Sequence, residues 1–266
     1  MNYFSITGEL TEEDRIVEFP FSKNGVALVN APKCGMTLRA AGSMRFRWSE
    51  VNMLRDRTIS SICENQFTPV PIELIHSHIV FDINHPTDTY RKQGDGIITT
   101  NKKLVPIVTV ADCMPVYLFD RTTGVFGIVH SGWKGTGIAV DAIELAGQKY
   151  GAKPEDFCVV IGPHINDCCY VVNEERAEYF AMNFNPECIR PVSKDYKPDW
   201  DAGEGKLFHL SLLKANLELL KRAGVLDENI SVCTDCTCCN ELFGSNRRET
   251  KNKMNFTVQA AFVIND

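Results

Sequence analysis

The stretch from Val105 to Thr136, VPIVTVADCMPVYLFDRTTGVFGIVHSGWKGT, constrains the fold more than any other part of this sequence. Two short apolar runs, Pro106–Val110 and Val125–Val129, are each followed by a side chain that can bind a metal, Cys113 and His130. The polar, glycine-containing segment DRTTG between the runs favours a reversal of the chain. We therefore expect neighbouring strands that bring the thiol and the imidazole close together.

A histidine-containing segment upstream offers a third ligand. The sequence IELIHSH is strand-like, and His76 and His78 would lie two residues apart on one face of such a strand. Either imidazole could then join Cys113 and His130. One thiolate and two imidazoles leave a position open on a tetrahedral ion, which is typical of a catalytic zinc site. The simpler alternative stays open: a cysteine after a strand is often a small core residue, and a histidine before a turn often makes only a local hydrogen bond.

Length and charge exclude several classes of protein. The chain has 266 residues, enough for one large domain or two small ones. Its apolar content of 44% is that of an ordinary globular protein, and its net charge of −6 gives no reason to expect nucleic acid or an anionic membrane as partner. The N-terminal sequence lacks the pattern of a secretory signal, and no apolar run is long enough to span a bilayer. We expect a cytoplasmic protein.

The cysteines are numerous and odd in number. There are eleven, so complete internal pairing is impossible, and a reducing compartment favours thiols that are free, buried or metal-bound. The segment CTDCTCC lacks the distant second ligand pair of a zinc ribbon, although the vicinal cysteine pair of DCCY is an alternative source. We expect no second metal, and reduced thiols, at six positions: Cys168, Cys169, Cys233, Cys236, Cys238 and Cys239.

The alternation of apolar and polar residues predicts an α+β fold. Two N-terminal strands, Ile16–Phe21 and Gly25–Asn30, are expected to form a hairpin about the sequence KNG. Strands outnumber helices and do not alternate with them regularly, which argues against a doubly wound sheet. Further strands are expected at 72–83, 96–100, 105–110, 115–119, 125–130, Phe157–Ile161, Ile230–Cys233 and Phe256–Ile264. Helices are expected at 49–63, Thr136–Tyr150, Asn173–Asn183 and Leu210–Gly224, the last with Ser211 as its cap.

Three charged residues are further candidates for chemistry. Asp112 could orient a ligand or act as an acid or base; it could equally be a carboxylate that only makes hydrogen bonds at the end of a strand. Arg247 and Arg248 follow an apolar pair, Leu242-Phe243. Adjacent arginines are usually solvated, but one that turns inward presents a fork suited to phosphate or carboxylate.

Seven short motifs keep an order that resembles one family. They are Ile75-His76-Ser77, Asp95-Gly96, Ala111-Asp112-Cys113-Met114-Pro115, His130-Ser131-Gly132-Trp133-Lys134-Gly135, Gly162-Pro163-His164-Ile165 with Cys169-Tyr170, Cys233-Thr234, and Phe243-Gly244-Ser245-Asn246-Arg247-Arg248. This set is similar to the YfiH-like family, also called laccase-domain or multicopper polyphenol oxidoreductase proteins. The resemblance implies one domain over residues 1–266, with divergent N-terminal strands at 1–45 and the family core at 46–266. It also implies layered mixed β-sheets with flanking helices, similar to the catalytic domain of cytotoxic necrotizing factor toxins.

The resemblance carries functional expectations as well. It implies a zinc site made by His76, Cys113 and His130, the same three residues that their spacing suggests. It implies a purine nucleoside phosphorylase that takes adenosine, inosine, guanosine or methylthioadenosine together with phosphate, and that also deaminates adenosine. An older description of the family is copper-dependent oxidation of phenols, and some members are linked to peptidoglycan quality control.

This chain departs from the family pattern at several positions. Leu74, Ile75 and Ser77 stand where the family usually has Gln, Val and Gly, and Val171 replaces a usual glutamate. Three enzymatic alternatives therefore remain: a zinc phosphorylase and deaminase, a copper phenol oxidase, and a hydrolase with Cys113 as nucleophile and His130 as base. A multicopper centre needs several more histidines, and the chain has six in all. A binding or structural role is the fourth alternative.

Overall fold

The computed structural model describes residues 1–64, 66–196, 205–251 and 255–266, and this part of the chain contains seventeen strands and five α-helices. A seven-stranded sheet contains, in spatial order, β1 (Asn2–Phe4), β16 (Ile230–Cys233), β12 (Phe157–Ile161), β10 (Met114–Asp120), β11 (Phe126–Ser131), β8 (Gly96–Thr99) and β7 (Val80–Asp82). A five-stranded sheet contains β2 (Ile16–Pro20), β5 (Lys33–Thr37), β17 (Gln259–Ile264), β9 (Leu104–Val110) and β6 (Thr68–Pro71). Two smaller sheets are formed by β13 (Val171–Asn173), β15 (Leu207–Leu210) and β14 (Ile189–Pro191), and by β3 (Ser22–Lys23) with β4 (Val26–Ala27).

The two large sheets pack face to face around a shared apolar core. Phe19 and Met36 from the five-stranded sheet meet Tyr117 and Val160 from the seven-stranded sheet in one buried cluster. The Tyr117 hydroxyl donates a hydrogen bond to the Gly35 carbonyl oxygen at 3.0 Å, so the phenol is both buried and satisfied. The continuous apolar sequence of β12 follows from this arrangement, because a central strand is covered on both faces.

Helices cover the outer faces of both sheets. They are α1 (Met53–Ile62), α2 (Ile138–Tyr150), α3 (Glu174–Asn183), α4 (Leu212–Arg222) and the short α5 (Asn246–Lys251). Side chains of α2, α3 and α4, including Ile138, Phe180 and Leu220, pack with the seven-stranded sheet. Ile59 of α1 packs on Phe262 of the five-stranded sheet. Parallel and antiparallel pairs occur in both large sheets, so the predicted α+β fold with layered mixed sheets and flanking helices is confirmed.

The predicted helices are present and begin slightly later than expected. Side-chain oxygens of Asn52, Asn173 and Ser211 accept the hydrogen bonds that open α1, α3 and α4. The cap predicted at Ser211 is confirmed, with the Lys214 amide as donor at 3.2 Å. None of the helices in the described ranges is both long and apolar enough to cross a membrane.

Two expected strand arrangements are wrong. β2 does not pair with the segment 25–30; it pairs with β5, and Asn24 and Gly25, both at positive φ, close the small β3–β4 hairpin instead. The strand expected over residues 72–83 is reduced to β7, its last part. The backbone amides of His76 and Ser77 donate to the Asp95 carboxylate, so they are not available to a sheet ladder.

Candidate metal centre

Cys113 lies where the chain crosses from one large sheet to the other. β9 belongs to the five-stranded sheet and β10, which begins directly after Cys113, belongs to the seven-stranded sheet. The runs 106–110 and 125–129 are therefore not neighbouring strands, as the sequence suggested. The neighbour of β11 is β10, which pairs Pro115 with His130. The expected proximity of Cys113 and His130 is right, but a different strand provides it.

His130 is held near the end of β11 by a buried carboxylate. Its side chain is 3% exposed, and its Nδ1 lies 2.9 Å from Oδ1 of Asp95. The imidazole of His76 meets it edge to face, with 4.8 Å between ring centroids. Because Nδ1 is occupied by the carboxylate, Nε2 is the nitrogen left to face a ligand.

His76, not His78, joins the group. His76 sits in a loop at φ +60°, a left-handed conformation that turns its side chain away from a regular strand direction. The two nitrogens of His78 contact Asp141 Oδ2 at 2.6 Å and the Lys134 carbonyl oxygen at 3.1 Å. The expectation that both histidines share one strand face is wrong, because both lie in a loop, where alternate residues need not point the same way.

Asp95 organises two of the three ligands, a role that the sequence did not reveal. Its carboxylate is fully buried and accepts four hydrogen bonds, from the His76 amide, the His130 ring, and the Ser77 amide and hydroxyl. Burial alone would raise the pKa of Asp95, but the hydrogen bonds from His130 and Ser77 hold that pKa below its ordinary value. A carboxylate behind a histidine is the usual means of orienting a metal ligand. In the sequence Asp95 stands out only as part of the Asp95-Gly96 motif, and that motif alone does not indicate a function for the residue.

The three side chains have the spacing of a metal site. One ligand atom from each of His76, Cys113 and His130 lies within 4.8 Å of the others. A Cβ at Gly132 would lie 3.0 Å from Cys113 Sγ and 3.3 Å from His76 Cδ2, so the absent side chain leaves room beside the ligands. One thiolate with two imidazoles suits zinc or copper. These residues fit a metal ion, as the resemblance seen in the sequence also implies.

Cys113 and His130 stabilise each other's charged form. Burial opposes ionisation of the thiol, but attraction to His130 and hydrogen bonds from His130 and His76 lower the pKa of Cys113 to about 6. Burial likewise disfavours the imidazolium, but the Cys113 thiolate and Asp95 raise the pKa of His130 to about 9. The thiolate is the form that binds metals and attacks electrophiles, so this pair is prepared for either chemistry.

Both carboxylate oxygens of Asp112 accept hydrogen bonds from other residues of the chain. Oδ1 accepts from the Thr237 hydroxyl at 2.7 Å, and Oδ2 accepts from the Arg247 amide at 2.6 Å. Burial raises the pKa of Asp112, and these hydrogen bonds only partly offset it. The backbone here is left-handed, with φ at +80°. These contacts make Asp112 the link between the Cys113 turn and the segment that carries the two arginines.

The two adjacent arginines have different environments. Arg247 lines the cavity beside the candidate ligands and also donates to the carbonyl oxygens of Cys169 and Val171. The Arg248 guanidinium donates to four other backbone carbonyls, those of Thr237, Cys238, Asn240 and Phe243. Among the described residues that line the cavity, Arg248 does not appear. Of these two adjacent arginines, Arg247 is therefore the candidate for contact with an anion.

A cavity of about 640 Å³ opens over the three ligands. Three further arginines line it, Arg45, Arg47 and Arg176, all distant from Arg247 in sequence. The Arg176 guanidinium lies 4.2 Å from the centre of the Trp133 ring, one of several aromatic groups in the wall. The cavity thus combines a positive lining with flat apolar surfaces. Sequence reasoning missed these arginines because only tertiary structure brings them to the site.

A family model matches most of the chain. The model, described as multi-copper polyphenol oxidoreductase laccase, matches residues 38–263. This range includes the three candidate ligands, Asp95 and the cavity-lining arginines.

Relatives with named activities are similar over part of their length. Purine nucleoside phosphorylase YlmD of Geobacillus stearothermophilus is 34% identical over 158 residues, 58% of this chain and 55% of that protein. Purine nucleoside phosphorylase LACC1 of Mus musculus is 32% identical over 176 residues, 64% of this chain and 37% of that protein. Adenosine deaminase RL5, from an unknown prokaryotic organism, is 31% identical over 58% of this chain and 56% of its own length. These matches span between about a third and just over half of the relatives.

Solved structures share the fold. The Bacillus licheniformis protein YfiH has a TM-score of 0.74 and 23% identity, with 88% of this chain and 93% of that chain covered. Geobacillus stearothermophilus YlmD has a TM-score of 0.72 at the same identity, with 88% and 92% covered. Together with the family match over residues 38–263, these findings identify the chain as a member of the YfiH-like, laccase-domain family.

Proposed function

We propose that this chain is a zinc-dependent purine nucleoside phosphorylase that also deaminates adenosine more slowly. The observation that carries the proposal is the position of His76, Cys113 and His130 at a cavity lined by Arg247 and other cations. The names of the relatives support both reactions. In this proposal adenosine, inosine, guanosine or methylthioadenosine is the substrate, phosphate is the second substrate, and the protein works in the cytoplasm.

The three ligands and Asp95 prepare the metal site. Cys113 would bind as thiolate, the form that its lowered pKa favours, and His76 and His130 as neutral imidazoles. Asp95 keeps Nδ1 of His130 engaged, so Nε2 is the nitrogen that would bind the ion. When bound, zinc would supply Lewis-acid chemistry at neutral pH. The copper alternative uses the same donor set, and the family description is what favours it.

The cavity residues suit a nucleoside and an anion. Trp133 and Tyr170 offer flat surfaces on which a purine can stack. Arg247 would hold phosphate beside C1′ of the ribose, since a guanidinium fork matches phosphate geometry. In phosphorolysis a phosphate oxygen bonds to C1′, the bond from C1′ to the base nitrogen breaks, and the base leaves with a proton. Arg248 contributes indirectly, because it fixes the carbonyls of the loop beside Asp112.

Asp112 belongs to the proposed catalytic set with Cys113 and His130. Its two hydrogen bonds favour a positioning role, in which it fixes the backbone of Arg247. Its raised pKa also suits a group that passes a proton to the leaving base. The pH profile of an Asp112→Asn variant distinguishes these roles, since only a proton donor changes the pH limits of turnover when it is removed.

The Cys–His hydrolase is the second candidate, supported by the mutual stabilisation of the Cys113 thiolate and the His130 imidazolium. A role in peptidoglycan quality control would be one form of it. This alternative requires the thiolate to be accessible to a substrate and not bound to an ion. Rapid alkylation of Cys113 in zinc-loaded protein would favour it over the proposed function.

Arg247→Ala should raise the KM for phosphate about 10- to 100-fold, the loss expected for a charged hydrogen bond of about 1.5–3 kcal/mol. Deamination of adenosine should change much less, because attack by water needs no anion site. The measurement is chromatography of base and ribose 1-phosphate released by the pure protein, with phosphate varied. Arg222→Ala, at an exposed ion pair with Glu218 on α4, is the matched control and should leave both reactions unchanged.

The same assay separates the alternatives. The proposal expects base release from adenosine or inosine that depends on phosphate. Oxidation of a phenol with added copper, and no base release at any phosphate concentration, would instead establish the copper alternative. An equal loss of phosphorolysis and deamination in Arg247→Ala would contradict the assignment of this arginine to phosphate.

A further inference from the structure

Four cysteine thiols from two distant segments meet on the surface beside the candidate metal centre. Sγ atoms of Cys168, Cys169, Cys236 and Cys239 all lie within 4.8 Å of one another. Cys169 Sγ and Cys239 Sγ are 3.3 Å apart, and Cys168 Sγ is 3.6 Å from Cys239 Sγ. The sequence predicted reduced thiols without a second metal here. The structure supplies the distant ligand pair that the segment CTDCTCC seemed to lack.

The topology of the seven-stranded sheet explains why these segments meet. β12 and β16 are parallel neighbours, so the loops that follow them leave the sheet at the same edge. His164 and Cys236 form a bridge between the loops, and the Thr237 amide donates to the His164 carbonyl oxygen at 3.1 Å. Nothing in the sequence relates the vicinal pair Cys168-Cys169 to the CxxC pair Cys236 and Cys239, because almost seventy positions separate the two pairs.

The distances between the sulfur atoms fit a tetrahedral ion. With a Zn–S bond of about 2.3 Å, tetrahedral geometry puts neighbouring sulfurs about 3.8 Å apart. Cys168 Sγ and Cys169 Sγ are 3.8 Å apart, their distances to Cys239 Sγ are 3.6 and 3.3 Å, and Cys236 Sγ lies within 4.8 Å of the other three. A disulfide would require about 2.05 Å. All eleven cysteines lie in the described residues, and none of them is in a disulfide there.

We infer that Cys168, Cys169, Cys236 and Cys239 form a second, structural zinc site. Four protein thiolates fill a tetrahedral ion and leave no open position, unlike the three ligands in the cavity. The Asn166 amide donates to Cys236 Sγ at 3.3 Å, a contact that stabilises a bound thiolate. Cys168 and Cys239 are exposed, so an ion can reach the site from solvent.

The second site would fix the walls of the first. Arg247 donates to the carbonyl oxygen of Cys169, one of the four ligands. Arg248 donates to the carbonyl oxygens of Thr237 and Cys238, which lie between the ligands Cys236 and Cys239 in the chain. An ion that binds both loops would therefore fix the backbone carbonyls to which the Arg247 and Arg248 guanidinium groups donate. The site is structural because its ligands leave no position for substrate.

Metal content tests this inference independently of any enzymatic activity. The protein is purified without added metal under anaerobic conditions, and zinc per chain is measured by native mass spectrometry. We expect Cys113→Ala to retain the zinc of the four-thiol site. Combining it with Cys239→Ser should remove that zinc, whereas combining it with Cys238→Ser should not. Cys238 is the matched control, because it lies in the same loop but outside the group of four.

Cobalt gives a second readout, because its absorption reports the ligands around the ion as well as the amount of metal bound. Cobalt added to metal-free Cys113→Ala should give the intense absorption of a tetrahedral thiolate complex, and Cys239→Ser should abolish it. Zinc content or cobalt absorption that is unchanged by Cys239→Ser would overturn the inference. So would an anaerobically purified protein in which Cys169 and Cys239 are joined by a disulfide.

Discussion

Cys113→Ala is expected to reduce nucleoside turnover to the level of the uncatalysed background and to empty the three-ligand site. The thiolate is the only anionic ligand of that group, and two imidazoles cannot replace its contribution to affinity. We expect the affinity for zinc at this site to fall by more than about 100-fold, beyond the 10- to 100-fold effect typical of losing an outer-shell partner. Competition against a fluorescent zinc chelator measures the affinity, and chromatography measures turnover.

A buried cysteine away from the site provides the control for Cys113→Ala. Cys34 is fully buried in the core between the two large sheets, so Cys34→Ala removes a comparable side chain. It should lower the melting temperature and leave zinc affinity and turnover per folded molecule unchanged. Substantial turnover by folded Cys113→Ala would contradict the role of this thiolate.

Asp95→Asn is expected to weaken zinc binding about 10- to 100-fold. Each oxygen of Asp95 accepts two hydrogen bonds, from His76 and His130 at Oδ1 and from Ser77 at Oδ2. An amide nitrogen cannot accept, so either orientation of asparagine sets its NH₂ group against a backbone N–H donor, that of His76 or that of Ser77. The loop that presents His76 or the ring of His130 must then shift. Turnover at saturating zinc should recover in part, since all three ligands remain.

Asp120→Asn is the matched control for Asp95→Asn. Asp120 is also fully buried and accepts hydrogen bonds from Thr122 and Thr123, but it is the last residue of β10, at the opposite end of that strand from Cys113. It should reduce stability without changing zinc affinity. If the two variants lose zinc affinity equally, the effect of Asp95 is general destabilisation and not orientation of the ligands.

Local features of the fold were predictable from sequence. Long apolar runs such as β12 and β11 mark strands buried on both faces, and the cap at Ser211 marks the start of α4. These signals depend on residues near one another in the chain. The proximity of Cys113 and His130 is also a local feature, because only one short turn separates the paired strands β10 and β11.

Features set by tertiary contacts were not predictable. Periodicity identifies β9 as a strand but not its sheet, so the crossing at Cys113 was missed. The His76 loop resembles a strand in sequence, and it departs from one because the Asp95 carboxylate takes its amide donors. Arg176 reaches the cavity from α3, and no local pattern signals that contact. The four thiols meet only because β12 and β16 are parallel neighbours.

Removal and replacement of the metal tests the central claim most directly. The measurement is inosine turnover in phosphate by protein stripped of metal and then reloaded with a saturating amount of zinc or copper. Cys113→Ala is taken through the same steps, to show what an ion bound outside the three-ligand site contributes. We predict no turnover by the stripped protein, and release of hypoxanthine and ribose 1-phosphate in equal amounts after zinc is restored. Equal turnover by stripped and zinc-loaded protein, or activity restored by copper alone, would contradict a zinc-dependent phosphorylase.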